Sequence, residues 1–365
     1  MWTPDAERRI ASAHKALELA DAHPDPTLFA RIAPGVLWGL WEPGSGEVRS
    51  RVAAKAVAVA EASGDPRLEF GAHLSAFDIA IESADHVTAA RSLAKLRATA
   101  RTIGEPRLRW TVGLVDTFTV TMAGRLVEAE AAATQTLELG LQIGAPDAFT
   151  FFAPQFFAIG TFAGRHDELF PLVEQATKDD PLAIAFTLAY GIICHAVGRE
   201  QPAREILDDG IATGFAELPV DNLWTTCVIG YAILAIELDH TEAAAQLLPL
   251  LEPFANDVAF NGVSSQGPIA AYVGKLESLL GRHDDAEEHL RAALDITEAF
   301  GWQYHQATTL FSLAQARSRR LGRLDAEAQA SLSEASELCR ALGFRTWIPR
   351  IDELAVAQPD TAPLR

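Results

Sequence analysis

The sequence predicts an all-α solenoid of about nine antiparallel helix pairs wound into a right-handed superhelix, and three observations predict it. The first is a recurring Gly-Arg turn that precedes an acidic, alanine-rich run: Gly124-Arg125, Gly164-Arg165, Gly198-Arg199, Gly281-Arg282 and Gly322-Arg323. Degenerate copies stand at Asp85-His86 and Asp239-His240. Copies are roughly 40 residues apart, once roughly 34, the period range of stacked helix-pair repeats. The second is the punctuation between units. Gly64-Asp65-Pro66, Gly104-Glu105-Pro106 and Gly144-Ala145-Pro146 each set a glycine to close one helix and a proline to open the next. The third is apolar spacing of three and four. Leu290, Ala293, Leu294 and Thr297 mark one face of a helix, and Glu287, Glu288 and Arg291 the other.

Taken in order, one or two N-terminal helix pairs fall near residues 5–62, and the Gly-Arg units follow. Asp179-Asp180-Pro181 and Leu218-Pro219-Val220-Asp221 punctuate the middle, while Gly301-Trp302 and Gly343-Phe344 keep the glycine stop without the proline. The small residues Gly191, Ala203, Gly274 and Ala286 predict tight crossings within pairs, with Leu207, Leu247 and Leu290 as the larger knobs one turn on. The stretch Phe254–Gly267, with Asn256, Gly262, Ser264 and Ser265, reads as a loop, the place for a bend or a binding loop. A single solenoid over residues 1–354 and a flexible tail over 355–365 are expected. The C-terminal end, with Trp347 and Ile348, is the less well capped one and the expected edge for a homodimer through a terminal helix.

Composition narrows the function. The 365-residue chain carries a net charge of −19, which argues against direct binding of nucleic acid or an anionic membrane. Cys194, Cys227 and Cys339 are far apart in apolar helical stretches, the pattern of reduced, buried thiols. No basic-then-apolar leader and no membrane-length apolar run is present, so a soluble, cytoplasmic protein is expected.

Four segments carry a family likeness: Gln155-Phe156-Phe157-Ala158, Ala216-Glu217-Leu218-Pro219-Val220-Asp221-Asn222-Leu223-Trp224, Gly267-Pro268-Ile269-Ala270-Ala271-Tyr272-Val273-Gly274, and Gly281 through Leu290. With them the chain, from about Trp2 to Gly343, resembles the tetratricopeptide-like repeat region of actinobacterial signalling regulators. Those proteins join a class III cyclase or winged-helix module, a STAND-type ATPase, such repeats and a LuxR-type DNA-binding domain. The resemblance implies a sensing arm only. Gly274-Lys275 is followed by Leu276 and lacks the upstream glycine of a phosphate loop, and no basic helix-turn-helix follows Gly343.

Candidate sites follow from the architecture. Aromatic and polar residues on the first helix of each pair should line the concave face: Trp110, Gln155, Asp221, Asn222, Trp224, Tyr272 and Lys275. Polar groups set among aromatics are the chemistry that holds an extended peptide or a small ligand. Each has a structural alternative, burial for the aromatics and helix capping for Asp221. The phenylalanines Phe149, Phe151, Phe152, Phe156 and Phe157 form either a docking patch or core.

His86, His166, His240 and His283 recur at one turn position, which predicts a structural role and no metal. No catalytic residue and no cofactor is expected, since neither a strained nucleophile elbow nor a glycine-rich oxyanion loop is present. The expectation is a non-catalytic interaction and regulatory module. Its concave face would bind a protein segment or a small inducer and relay this to a signalling or transcriptional partner. The alternative is a transcription regulator, or a fragment of a multidomain cyclase or ATPase regulator.

Overall fold

The computed structural model describes residues 6–180 and 183–356. The start of the N-terminal reading, the proline of the Asp179-Asp180-Pro181 stop and the predicted tail beyond Val356 lie outside those residues. The described chain is an all-α helical-repeat solenoid of 18 helices and one small hairpin. In order they are α1 (Ala6–Asp21), α2 (Thr27–Gly39), α3 (Gly46–Ser63), α4 (Pro66–Glu82), α5 (His86–Ile103) and α6 (Pro106–Met122). There follow α7 (Leu126–Gln142), α8 (Ala148–Phe162), α9 (His166–Asp179), α10 (Ile184–Ala196), α11 (Glu200–Ala212), α12 (Trp224–Glu237) and α13 (Thr241–Leu251). A 3₁₀ turn (Glu252–Phe254) leads into β1 (Val258–Phe260) and β2 (Ser265–Pro268). The chain closes with α14 (Ile269–Leu279), α15 (His283–Phe300), α16 (Gln303–Leu321), α17 (Ala326–Leu342) and α18 (Trp347–Val356).

The Gly-Arg turns join an even-numbered helix to the odd one after it. Gly124, Gly164, Gly198, Gly281 and Gly322 all take positive φ there. Where the copies degenerate, Ala84 and Asp239 adopt the same left-handed conformation, a strain of about 1 kcal/mol each that glycine avoids. The repeated histidines sit at these helix starts, and the His240 Nδ1 accepts the Ala243 amide at 3.2 Å. The small residues are where helices cross. A Cβ on Gly274 would lie 2.8 Å from Leu290, and one on Gly191 3.0 Å from Ile206. Most even helices pack on the next even helix as well as on their own partner (α2 on α4, α6 on α8, and α10 through α18 in succession), so they form the inner layer.

That inner layer is not an open groove. The stretch expected to be a loop forms the hairpin, which lies inside the superhelix. Asn261 builds its turn: the Oδ1 accepts the Ser264 amide at 2.9 Å and the Val263 amide at 3.2 Å. The Ser265 hydroxyl donates to the Ala259 carbonyl at 2.7 Å across the strands. Val258, Ala259 and Phe260 are all at most 1% exposed.

Phe260 lies between Trp41 (ring centroids 6.3 Å) and Phe118 (5.1 Å), and Phe118 meets Trp302 edge-on. Phe162 stacks on Tyr304 at 3.8 Å. One core therefore runs from Trp41 to Trp302. Repeats of a simple solenoid touch only their neighbours, whereas this core joins repeats far apart in the chain. Aromatic burial between the two halves closes the superhelix on itself, with the hairpin as its plug.

The C-terminal end is packed as well. Trp347 is half-buried: its indole N–H donates to the Tyr304 hydroxyl at 3.1 Å and its ring meets Phe311. It is not a bare edge. Ala355 and Val356 belong to α18 rather than to a tail. Among the described residues no helix is long and apolar enough to cross a membrane, and all three cysteines are buried and free.

Candidate functional site

Three of the concave-face candidates hold a peptide segment, and that segment is the chain's own hairpin. The Gln155 amide donates to the Val263 carbonyl at 3.0 Å and to the Leu114 carbonyl at 2.8 Å. The Asn222 amide donates to the Asn261 carbonyl at 2.8 Å. The Tyr272 hydroxyl donates to the Gln266 carbonyl at 2.9 Å. All three side chains are buried, so none is free for an outside ligand. Trp110 is core inside its own repeat, 4% exposed against Leu114, Ala148 and Phe151. Of the phenylalanine cluster, Phe149 is exposed, while Phe152 and Phe156 stack half-buried at 5.3 Å.

Lys275 projects into the same interior from α14, with its Nζ 4.8 Å from the centre of the Tyr272 ring. Burial pushes its ammonium down to about 8, against the pull of Glu237. Glu237 is already committed, to Arg350 at 2.9 and 3.0 Å and to His195 at 3.6 Å. Burial would raise that carboxyl, but His195 and Arg350 outweigh it and hold it at about 2.

Asp221 and Trp224 meet in a different place. They form one wall of a cleft of about 350 Å³ at the root of the hairpin. Three segments distant in sequence build it. The α2–α3 connection supplies Trp41 and Glu42, the head of α12 supplies Asp221 and Trp224, and the 3₁₀ turn with β1 supplies Phe254 and Asp257. The end of α4 contributes Glu82. The Asp221 carboxylate accepts the Leu223 amide at 2.8 Å, which turns the chain into α12 and sets Trp224 edge-on to Phe254 at 5.3 Å.

Charge in this cleft is unbalanced. Its lining holds the carboxylates Glu42, Glu47, Glu82, Asp221 and Asp257 and, among the described residues, no lysine or arginine. Glu82 pairs with Arg49, which lies behind the wall on α3 with its guanidinium 4.1 Å from the centre of the Trp41 ring. The Trp41 indole N–H donates to the other Glu82 oxygen at 3.1 Å. Even so, burial dominates both partners, raising the Glu82 carboxyl and lowering the Arg49 guanidinium.

Asp78, one helical turn before Glu82, is 8% exposed. Burial, reinforced by Glu82 and only partly offset by Arg49, pushes it up to about 8. Burial and the Glu82 charge raise Asp257 to about 6.

The sequence reading names Asp221 and Trp224, which meet in this cleft, and passes over Trp41, Asp78, Glu82 and Asp257. One signal was available for two of these. Phe77-Asp78-Ile79-Ala80-Ile81-Glu82 sets two carboxylates four apart in an otherwise apolar run, so both fall on one buried face.

The chain matches no family model, and no curated protein is significantly similar to it.

Proposed function

We propose that this chain is a non-catalytic sensing module: a small inducer binds in the cleft at the hairpin root, and its occupancy is relayed to a signalling or transcriptional partner. The observation that carries this reading is the position of the cleft. Its walls come from the α2–α3 connection, the end of α4, the head of α12 and the strand that plugs the superhelix. A ligand seated there touches the parts whose contact keeps the two halves closed, so its differential affinity for closed and open forms would shift that equilibrium. A protein segment has less to occupy, because the inner layer already holds the hairpin. The buried free thiols support a cytoplasmic setting.

Thermal unfolding tests the reading. A small-molecule extract of the producing cells is expected to raise the melting temperature of the wild type and not that of Trp224→Ala, whose own helicity is checked by circular dichroism. An equal rise in both proteins would place the ligand elsewhere, and no rise in either would remove the sensing role.

A further inference from the structure

We propose that the cleft takes a small organic cation, an alkylammonium or guanidinium head carried on an apolar body. This rests on the sensing reading above and names the chemistry of its ligand.

The first argument is charge accounting around the cavity. Arg49 is committed to Glu82, Glu47 is paired with Arg51 on the rim, and Asp221 accepts the Leu223 amide. Asp257, half-buried in the wall, has among the described residues neither a hydrogen bond nor an ion pair for its carboxylate. On α4, outside the cleft lining, Asp78 is more than nine-tenths buried and among the described residues has no such partner either, with Arg49 and Glu82 the charges it feels. Asp78 and Glu82 thus share one cation, and Asp257 feels the Glu82 charge without feeling Arg49, in a place where water solvates them poorly. Buried carboxylates of this kind are either protonated or neutralised by a cation.

The walls then choose among cations. Trp224 and Phe254 offer aromatic faces and edges beside Asp257, with Ile269 and Val258 below them. Aromatic surface next to a carboxylate favours a cation with spread charge and an apolar body. A bare metal ion needs several hard ligands converging on one point, and among the described residues no group of three His, Cys, Asp or Glu does so. An anion would face five lining carboxylates. The volume of about 350 Å³ is that of a small ligand rather than a folded segment.

Isothermal titration of the full chain tests this with 2-phenylethylamine, agmatine and the neutral isostere 2-phenylethanol. Saturable binding of an amine is expected, with the alcohol at least about tenfold weaker. Asp257→Asn should weaken the amine about tenfold or more without lowering the melting temperature, and Asp257→Glu should recover part of the loss. Lowering the pH from about 7.5 to about 5 should weaken binding as Asp257 takes up a proton beside Glu82, Glu42 and Asp221.

Binding of the alcohol as tight as that of the amine, or amine binding unchanged in Asp257→Asn, overturns the proposal. So does the absence of saturable binding by both cations. A neutral or anionic compound whose stabilisation disappears in Trp224→Ala would leave the sensing reading standing and remove only the cationic class. The absence of any Trp224-dependent stabilisation removes both.

Discussion

Two arginines, Arg49 and Arg317, sit among carboxylates at opposite ends of the superhelix, and their surroundings are of opposite kinds. Arg317 on α16 reaches Glu287 at 2.7 Å, Glu327 at 3.0 Å and Asp325, while Arg291 and Arg320 share the load on Glu287. There the hydrogen bond from Arg317 leads the shift that holds Asp325 down at about 2, and the Arg317 guanidinium is itself raised. Pairing wins over burial. At Arg49 the order is reversed: its own ionisation and that of Glu82 are both penalised, and Asp78 is pushed up to about 8. Among the described residues the Arg49 Nε is buried without a hydrogen-bond partner; the Glu287 Oε1 also lacks a hydrogen bond but has Arg320 at 2.9 Å as an ion-pair partner. A network built only to hold helices together completes its ion pairs. A network that leaves carboxylates uncompensated beside a cavity sacrifices stability for a charge the chain does not supply.

The contrast is sharpest when each arginine is removed. Arg49→Met leaves Glu82 and Asp78 buried without a cation and is expected to cost about 4 kcal/mol in denaturant unfolding near neutral pH. The loss should shrink as pH falls and the two carboxyls protonate. Arg317→Met should cost less, because Arg291 and Arg320 remain on Glu287. Equal losses at both sites would remove the distinction between them.

Asp78→Asn is the next largest effect and has the opposite sign. The Asp78 carboxyl is raised in the folded chain, so between its ordinary 3.8 and about 8 the native state holds a proton that the unfolded chain lacks. Stability contributed by this group therefore falls as pH rises through that window. Removing the ionisable group should stabilise the protein by about 2 kcal/mol at pH 8, with the gain fading towards pH 4. Chemical denaturation at several pH values reads this directly. A loss of stability at pH 8 would mean that Asp78 is an ionised partner of Arg49, and the surplus charge would disappear with it.

These sites differ in how far the sequence foretells them, and the reason is range. The Gly-Arg turn, the proline starts and the tight crossings at Gly191 and Gly274 are local, and each is decided by residues within one repeat. Closure depends on Trp41, Phe118, Phe260 and Trp302, which lie in four different parts of the chain; within its own repeat each looks like ordinary core. Gly267 shows the same limit. It reads as a loop glycine, but at φ +87° a Cβ there would lie 2.5 Å from the His305 ring, so it marks a close approach inside the plug. Gln155, Asn222 and Tyr272 were legible as peptide-holding residues because their chemistry is local. The peptide was not, because the hairpin reaches Gln155 and Asn222 from 108 and 39 residues away, and only Tyr272 is its neighbour in sequence.

The smallest effect tests the other arginine. Asp325 is held down at about 2 by Arg317 first and by the Ala328 amide second. A lowered carboxyl contributes stability above its unfolded value of 3.8, and that contribution is lost as pH falls through about 2. Asp325→Asn retains an acceptor for the Ala328 amide, which Asp325 caps at 3.0 Å, and removes only the charge facing Arg317. Its side chain is 20% exposed, so solvent screening reduces the effect, and a loss of about 1 kcal/mol at pH 7 is expected. The loss should diminish below pH 4, in denaturant melts run beside those of Asp78→Asn. The two variants should then move in opposite directions at pH 7 and converge on the wild type in acid. Movement in the same direction at pH 7 would mean that the cleft carboxylates are structural partners like those of Arg317, leaving no charge for a ligand to complete.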